Sequence, residues 1–279
     1  MSSPAALAVV VPSAGGSPHL TALVASLDED TALFVVSEET TGPGVRVPTQ
    51  DDSGFAQRAN LGLAAAKDAG HQTAVLCNDD LVFLPGALRR MRTAIHAPHE
   101  SVGIVAPLVL DWDSDLVQQA GISVSLLSGR TRELRRVPSE VQAFSGAAMA
   151  LNLRCWEELG GFDERFEFYF EDIEFCLRAS AAGWALSLVE DARVRHRGGG
   201  TRSRSSPEAA WHLGRSHALF CCSLPGGRLA RQRRLLWSGA AGLGWSLRAS
   251  GLHGARNFAR GWRTGLQASR GLSAGAGVQ

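Results

Sequence analysis

The stretch Thr73-Ala74-Val75-Leu76-Cys77-Asn78-Asp79-Asp80 is an apolar run that ends abruptly in three polar residues. A short apolar run bounded by turn-forming residues is typical of a buried β-strand. We therefore predict a strand over residues 73–77, with Asn78, Asp79 and Asp80 in the loop at its carboxyl end.

The segments upstream alternate between two patterns. Apolar strand-like runs cover residues 7–11, 32–37 and 45–47, and helix-like segments cover residues 20–27 and 56–69. This alternation predicts an α/β fold with a doubly wound, Rossmann-like sheet. Ligands of such sheets bind beyond the carboxyl ends of the strands, so we expect the site at loops 37–41 and 78–80.

Two adjacent acids at a strand end suit a hard divalent cation, which takes oxygen ligands. Asp79 and Asp80 are therefore candidate metal ligands, and the alternative is an Asx turn that caps the next helix. Downstream, the apolar patterns predict strands over residues 102–109, 121–127, 144–152 and 185–189 and a helix over 173–182.

A second acidic pair, Glu171-Asp172, follows the aromatic run Phe168-Tyr169-Phe170. A carboxylate beside aromatic rings is partly desolvated, which raises its pKa and suits a general base. The alternative is ordinary placement of acids at a helix N-terminus. His196 closes a predicted strand and is either a further metal ligand or a structural histidine.

Charge is divided unevenly along the chain. The formal net charge is +1, yet residues 209–279 hold ten arginines and no acid, which leaves −9 for residues 1–208. An acidic body argues against a nucleic-acid partner. Five cysteines without a CxxC pair suit reduced thiols, and no basic residue precedes the apolar run at 5–11, so we expect a cytoplasmic protein.

Taken in order, several motifs resemble those of family-2 glycosyltransferases, with the greatest similarity to a bacterial rhamnosyltransferase-like branch. The resemblance covers residues 7–201. It rests on the segments Gly54-Phe55-Ala56, Asn60-Leu61-Gly62-Leu63, Leu76-Cys77-Asn78-Asp79-Asp80, Phe144-Ser145-Gly146-Ala147, Gly160-Gly161-Phe162-Asp163-Glu164, Phe168-Tyr169-Phe170-Glu171-Asp172 and Arg195-His196.

The resemblance implies a GT-A fold that transfers a sugar from a nucleotide-diphosphate sugar with inversion. It further implies Mg²⁺ or Mn²⁺ bound by Asp80 and His196, with Asp172 as the base that deprotonates an acceptor hydroxyl and Glu171 supporting it. The donor-binding residues that it implies are Pro12, Glu38, Glu39, Asn60, Asn78 and Asp79. The acceptor would be a glycan, a lipid-linked sugar or a small molecule, in bacterial cell-surface glycan synthesis.

One loop departs from the family pattern. Family members usually carry an aspartate at the end of the second strand, where it contacts the nucleobase, whereas this chain reads Ser37-Glu38-Glu39. This departure keeps open an alternative, namely a nucleotide-sugar-binding partner that has lost turnover. A nucleotidyltransferase is disfavoured because the loop after the first strand has no basic residue.

The composition changes at residue 207, which predicts a catalytic domain over residues 1–206 and a basic, Trp-containing helical extension over 207–279. In the extension, Ala255, Phe258 and Trp262 lie on one helical face and Arg256, Arg260 and Arg263 lie opposite. Trp237 and Trp245 precede them. These helices are expected either to pack on the acidic body or at a homodimer interface, or to lie peripherally on the inner face of the cytoplasmic membrane.

Overall fold

The computed structural model describes residues 7–13, 15, 17–28, 30–39, 42–50, 53–97, 101–198 and 206–271. Residues 40 and 41 of the predicted loop 37–41 lie outside these ranges. The elements, in chain order, are β1 Leu7–Pro12, α1 Leu20–Ala25, β2 Thr31–Ser37, β3 Val45–Pro48, α2 Phe55–Asp68, β4 Thr73–Cys77, β5 Leu81–Phe83, α3 Ala87–Ile95, β6 Val102–Asp111, β7 Val117–Gln119, β8 Ile122–Val124, β9 Thr131–Glu133, β10 Ala148–Asn152, α4 Leu153–Glu158, α5 Glu171–Ala181, β11 Ala185–His196, α6 Pro207–Ser223 and α7 Arg228–Ala268.

The main sheet has the strand order β3-β2-β1-β4-β10-β6-β11-β5, and β7 pairs with β6. The first four strands in this order are parallel, as the alternation of strands and helices predicts. β10 runs antiparallel to both of its neighbours, and β11 runs parallel to β6 but antiparallel to β5. The fold is therefore α/β with a mixed sheet.

Helices cover both faces of this sheet and divide the core into two layers. On one face α2 contributes Ala59 and Leu63 to a core that also holds Leu76, and on the other face α3 contributes Met91 opposite Val75. α2 lies close to the sheet because Gly62 has no side chain: a Cβ there would stand 2.3 Å from Val10 Cγ1.

Two predicted strands are shorter than their sequence patterns. β8 covers only 122–124 of the predicted 121–127, and β10 covers 148–152 of the predicted 144–152. Residues 144–147 leave the sheet because their amides bond elsewhere: Phe144 N–H donates to Cys176 Sγ, and Gly146 N–H donates to the Asp172 carboxylate. An apolar run does not reveal such competing partners.

The C-terminal helices pack against each other through glycines. A Cβ at Gly214 would stand 2.3 Å from Phe258 O, and one at Gly261 would stand 2.0 Å from Trp211 O. The face that carries Ala255 and Phe258 is buried, so this segment packs on protein. α7 is kinked at Ser250 and Gly251. Within the described ranges, no helix is both long and apolar enough to cross a membrane.

Candidate active site

The pairing of β5 with β11 brings Asp80 and His196 together. Leu81, the first residue of β5, pairs with His196, the last residue of β11. Asp80 immediately precedes Leu81, and its backbone carbonyl accepts a 3.1 Å hydrogen bond from Arg197 N–H. Asp80 Oδ1 consequently lies 3.1 Å from His196 Nε2, and both side chains are largely buried.

Two amide side chains orient the His196 ring. Nδ1 lies 3.0 Å from Gln118 Oε1, and Nε2 lies 3.3 Å from Asn78 Nδ2. If Nδ1 donates its proton to Gln118, Nε2 faces Asp80 and Asn78, where a protonated ring donates a hydrogen bond to Asp80 and a neutral ring offers its lone pair to a cation. Such an outer hydrogen bond is how ligating histidines are usually oriented in metal sites.

The two neighbouring aspartates differ electrostatically. Burial raises the pKa of Asp79, although Ser13 Oγ–H donates to its Oδ2 at 2.7 Å and opposes the effect. For Asp80, burial also acts to raise the pKa, but the hydrogen bond from His196 and the positive charge of that ring outweigh it, so that the pKa is lowered. Of the two aspartates, Asp80 therefore has the lower pKa and the greater preference for the ionised form.

This pair of side chains fits a divalent cation that also binds a substrate. Adjacent ligands of an octahedral ion with bonds of about 2.1 Å lie about 3.0 Å apart, close to the Asp80–His196 separation. Among the residues that the structure describes, no group of three or more His, Cys, Asp or Glu side chains could hold a metal by itself. An ion bound by these two residues would need substrate oxygens, as Mg²⁺ commonly takes from phosphates.

The Asp172 carboxylate is fixed by two backbone donors. Gly146 N–H donates to its Oδ2 at 2.8 Å and Ile173 N–H donates to its Oδ1 at 2.7 Å. The next residue after Gly146, Ala147, accepts a 3.0 Å hydrogen bond from Asn78 N–H through its carbonyl. The turn 145–147 thus connects the Asp172 carboxylate with the loop that carries Asn78, Asp79 and Asp80.

The backbone before Asp172 is strained. Tyr169 and Phe170 both have φ near 70°, the left-handed region that bulky side chains rarely adopt. Each such residue costs about 1–3 kcal/mol and persists where its surroundings hold it. This turn places Glu171 and Asp172 at the first positions of α5, where the helix dipole favours negative charge.

Helix α6 supplies the contacts that hold the strained turn. Ser216 Oγ–H donates to Phe168 O at 2.6 Å, and Arg215 pairs with Glu167 at 3.1 Å. The Phe170 ring stacks on His217 and Phe220, with ring centroids 4.8 and 4.9 Å away. The predicted C-terminal extension therefore supports the segment that carries the acidic pair.

Glu171 is buried beside Asp172. Burial raises the pKa of Glu171 well above its ordinary value of 4.5, and the negative charge of Asp172 raises it further. Among the described residues its Oε2 has no hydrogen-bond partner. The raised pKa of Glu171 favours its neutral form beside the Asp172 carboxylate, which accepts hydrogen bonds from two backbone donors.

Arg58 joins the loops after β1 and β2. Its guanidinium is buried, donates to Ser13 O and Ser53 O at 2.6 and 3.0 Å, and forms a 2.6 Å ion pair with Glu38. Ser13 follows Pro12, the last residue of β1, and Pro12 pairs with Val36 of β2. Pro12 and Glu38 therefore lie at the same sheet edge as Asp79. Glu39 lies 4.0 Å from Arg46.

Asn60, a predicted donor-binding residue, bonds to the segment 160–164 and to Trp156. Its Nδ2 donates to Phe162 O at 2.9 Å and to Glu164, and its Oδ1 accepts from Trp156 Nε1–H and Phe162 N–H. The amide is thus engaged in holding loop 160–164. Two residues along a helix turn the side chain by about 200°, so Asn60 faces away from Arg58.

Comparison with known proteins identifies the family. The model of the family described as "Glycosyltransferase like family 2" matches residues 5–215, most of the chain. The chain belongs to this family. It is 27% identical over 253 residues to the N-acetylglucosaminyl-diphospho-decaprenol L-rhamnosyltransferase of Mycobacterium tuberculosis, covering 76% of this chain and 81% of that protein. This chain is accordingly a glycosyltransferase.

Solved structures of glycosyltransferases share the fold. The structure of GalNAc-T7 with UDP, GalNAc and Mn²⁺ superposes with a TM-score of 0.60 at 15% identity. The match covers 82% of this chain and 53% of the GalNAc-T7 chain, so this chain spans about half the length of GalNAc-T7. The Pyrobaculum calidifontis mannosyltransferase PcManGT, in complex with GDP-Man and Mn²⁺, gives 0.56 at 16% identity over 95% of this chain and 84% of that one. The fold of this family member is GT-A.

The sequence pattern gives no indication that three further residues belong to this site, namely Ser13, Arg58 and Gln118. Ser13 and Gln118 are single polar residues in loop and edge-strand segments, and Arg58 lies in an Ala-rich helix. Their partners are distant in the chain, so only the fold shows what each contacts.

Replacing Asn60 tests whether it holds loop 160–164, binds the nucleotide, or does both. We expect Asn60→Ala to lower the free energy of unfolding by about 2 kcal/mol, because it leaves buried donors without acceptors. Nucleotide affinity in the folded variant should be unchanged. Arg58→Ala should lower both stability and nucleotide affinity. Denaturant titration and calorimetry measure the two quantities, and weakened nucleotide binding by a stable Asn60→Ala variant would place Asn60 in the donor pocket.

The buried Glu171 predicts a pH-dependent stability. Because its folded pKa lies above its unfolded value, the native state holds more protons and loses stability as pH rises above about 4.5. Glu171→Gln has no such titration, so its stability relative to the wild type should increase from pH 5 to pH 8. Denaturant titration across this range measures the difference. The exposed Glu190→Gln is the control, and a gain that does not vary with pH would contradict the expectation.

Proposed function

We propose that the chain is an inverting glycosyltransferase that uses a nucleotide-diphosphate sugar, with Asp172 as the general base. The observation that carries this proposal is the connected pair of acidic sites at one sheet edge. Asp80 with His196 forms one of them, and Asp172 forms the other across the turn 145–147. One base and a stabilised leaving group suffice for a single displacement, so no covalent nucleophile is required.

The donor is proposed to lie along the ends of β1, β2 and β4. Glu38, oriented by Arg58, and Glu39 would face the nucleobase, and Pro12 would lie beneath the nucleoside. Asn78, Asp79, Asp80 and His196 would face the diphosphate. Mg²⁺ or Mn²⁺ held by Asp80 and His196 would neutralise the charge of the departing diphosphate. The Mn²⁺ complexes of GalNAc-T7 and PcManGT support this arrangement by analogy of fold.

In the proposed reaction, the Asp172 carboxylate accepts the proton of an acceptor hydroxyl. The hydroxyl oxygen forms a bond to the anomeric carbon as the bond from that carbon to the diphosphate oxygen breaks, and the electron pair leaves with the nucleoside diphosphate. Attack opposite the leaving group inverts the anomeric centre. The neutral Glu171 would support Asp172 without adding a second negative charge.

The acceptor is proposed to be a sugar hydroxyl on a glycan or a lipid-linked carrier, in bacterial cell-surface glycan synthesis. The mycobacterial relative, named for rhamnosyl transfer and a diphospho-decaprenol compound, supports a deoxyhexose donor and a polyprenyl-linked acceptor. Such an acceptor would place the enzyme in the cytoplasm, peripherally on the inner face of the cytoplasmic membrane. A small-molecule acceptor is the alternative to a lipid-linked one, and a homodimer interface is the alternative to membrane contact.

Two substitutions should separate chemistry from donor binding. Asp172→Asn should lower kcat by about 10²–10⁴-fold, the usual contribution of a general base, and leave the donor Kd unchanged. Asp80→Asn should instead abolish metal-dependent donor binding. Titration calorimetry with UDP, dTDP, GDP and their sugars, with and without Mg²⁺ or Mn²⁺, measures binding, and release of nucleoside diphosphate measures transfer.

The exposed Asp68→Asn, at the far end of α2, is the matched control and should change neither quantity. Equal loss of donor affinity and kcat in Asp172→Asn would contradict the base assignment. Metal-dependent binding that survives Asp80→Asn would contradict the metal assignment. Donor binding by the wild type without transfer to any acceptor would favour the partner that has lost turnover.

A further inference from the structure

The first part of α7, before its kink, has an inverted distribution of polar and apolar residues. The side chains that are almost completely buried in this part are all polar, namely Arg234, Ser238 and Ser246. Leu236 and Trp237 are exposed by 76% and 63% of their surfaces. Helices on the surface of a soluble protein usually show the opposite arrangement. The inverted pattern indicates that the outward side faces something other than water.

Five of the six large apolar residues exposed before the kink form one continuous strip. At 100° per residue, these five fall on one side of the helix over about five turns, whereas Trp245, 41% exposed, lies outside the strip. We call this set the outer strip of α7, and its members are Leu229, Leu236, Trp237, Leu243 and Leu247. Scattered exposed leucines need no explanation, but a contiguous apolar strip of this length marks an interaction surface.

The inner face has a structural reason for its polarity. Arg234 donates to the carbonyls of Cys221, Leu224 and Pro225 at the C-terminus of α6, and to Leu126 O. Ser238 Oγ–H donates to Ser128 O in the β8–β9 turn. These bonds satisfy carbonyls that the end of a helix leaves free. The outer strip makes no comparable contribution to the fold, because its side chains point away from these contacts.

The charges beside the outer strip indicate which kind of partner it would bind. Arg233 lies on the same side of the helix as the strip, Arg248 borders it, and Arg228 stands at its start; all three are exposed. Residues 209–279 contain no Asp or Glu. Leucine and tryptophan side chains flanked by arginines alone match the boundary of a bilayer that carries anionic lipid headgroups.

A second copy of this chain fits the strip less well. In a two-fold symmetric pairing the same patch meets itself, which would bring Arg233 and Arg248 of one copy into the same interface as the arginines of the other. With no acid along the segment, nothing within the patch would neutralise those charges. An anionic lipid surface supplies both the apolar layer and the negative charge.

We propose that the outer strip of α7 lies in the headgroup boundary of an anionic bilayer, with the helix parallel to the membrane plane. The adjacent α6, which supports the turn before Asp172, would then hold the active site near the membrane surface. This proposal rests on the proposed function, because it names the surface that would bring the active site to a lipid-linked acceptor. Vesicle binding does not require turnover, so a failure of membrane binding and a failure of the proposed function can be told apart.

The test is co-sedimentation of the full chain with vesicles of phosphatidylcholine alone and of phosphatidylcholine with phosphatidylglycerol. The wild type should bind the anionic vesicles, and the double variant Leu236→Glu, Trp237→Glu should bind them about tenfold more weakly or not at all. Arg233→Gln with Arg248→Gln should weaken binding to anionic vesicles and reduce its salt dependence. Brominated lipids should quench wild-type fluorescence more than that of Trp237→Phe.

Leu116→Glu is the matched control, because Leu116 is 74% exposed but lies outside α7; it should bind vesicles like the wild type. Circular dichroism checks that every variant is folded. Anionic-vesicle binding that the strip variants leave unchanged would overturn the proposal. It would also be overturned if the wild type ignored vesicles and formed a dimer that Leu236→Glu, Trp237→Glu dissociated in sedimentation velocity.

Discussion

The candidate active site depends on two consecutive residues held in a left-handed conformation. Tyr169 and Phe170 turn the chain so that α5 begins with Glu171 and Asp172, and the Asp172 carboxylate faces the turn 145–147. Neither residue would keep this geometry alone, since each costs about 1–3 kcal/mol. Stacking of Phe170 between His217 and Phe220 and the bond from Ser216 to Phe168 O stabilise it. The position of the acidic pair therefore depends on α6.

The dependence of the acidic pair on α6 affects where a domain boundary can be drawn. The change in composition at residue 207 is real, and a domain boundary at 206/207 stays a proposal. Yet α6, which begins at that point, contacts the loop 165–170, and the family match extends to residue 215. The first helix of the extension, α6, thus packs against the segment that carries the acidic pair. α7, through Arg234 and Ser238, attaches to α6 and to the β8–β9 turn.

Antiparallel pairing creates the other half of the site. The end of β11 pairs in parallel with β6 on one side, and on its other side the short β5 runs antiparallel to it and carries Asp80 to His196. His196 then lowers the pKa of Asp80 against the effect of burial, while the neighbouring Asp79, bonded to Ser13, has its pKa raised. Adjacent aspartates acquire different electrostatic roles because they face different partners.

The sequence by itself determined the parallel strands β1, β2 and β4, the helix α2 and the polar residues at the strand ends, because hydrophobic periodicity and turn residues act locally. It also pointed to the family through ordered motifs. Only the tertiary structure decided that Arg58 and not Asn60 meets the loops after β1 and β2, that Gln118 orients His196, and that α7 buries residues 255 and 258 while exposing residues 236 and 237. Each of these outcomes depends on partners that are distant in the chain, and local pattern carries no information about which surfaces meet when helices and strands pack.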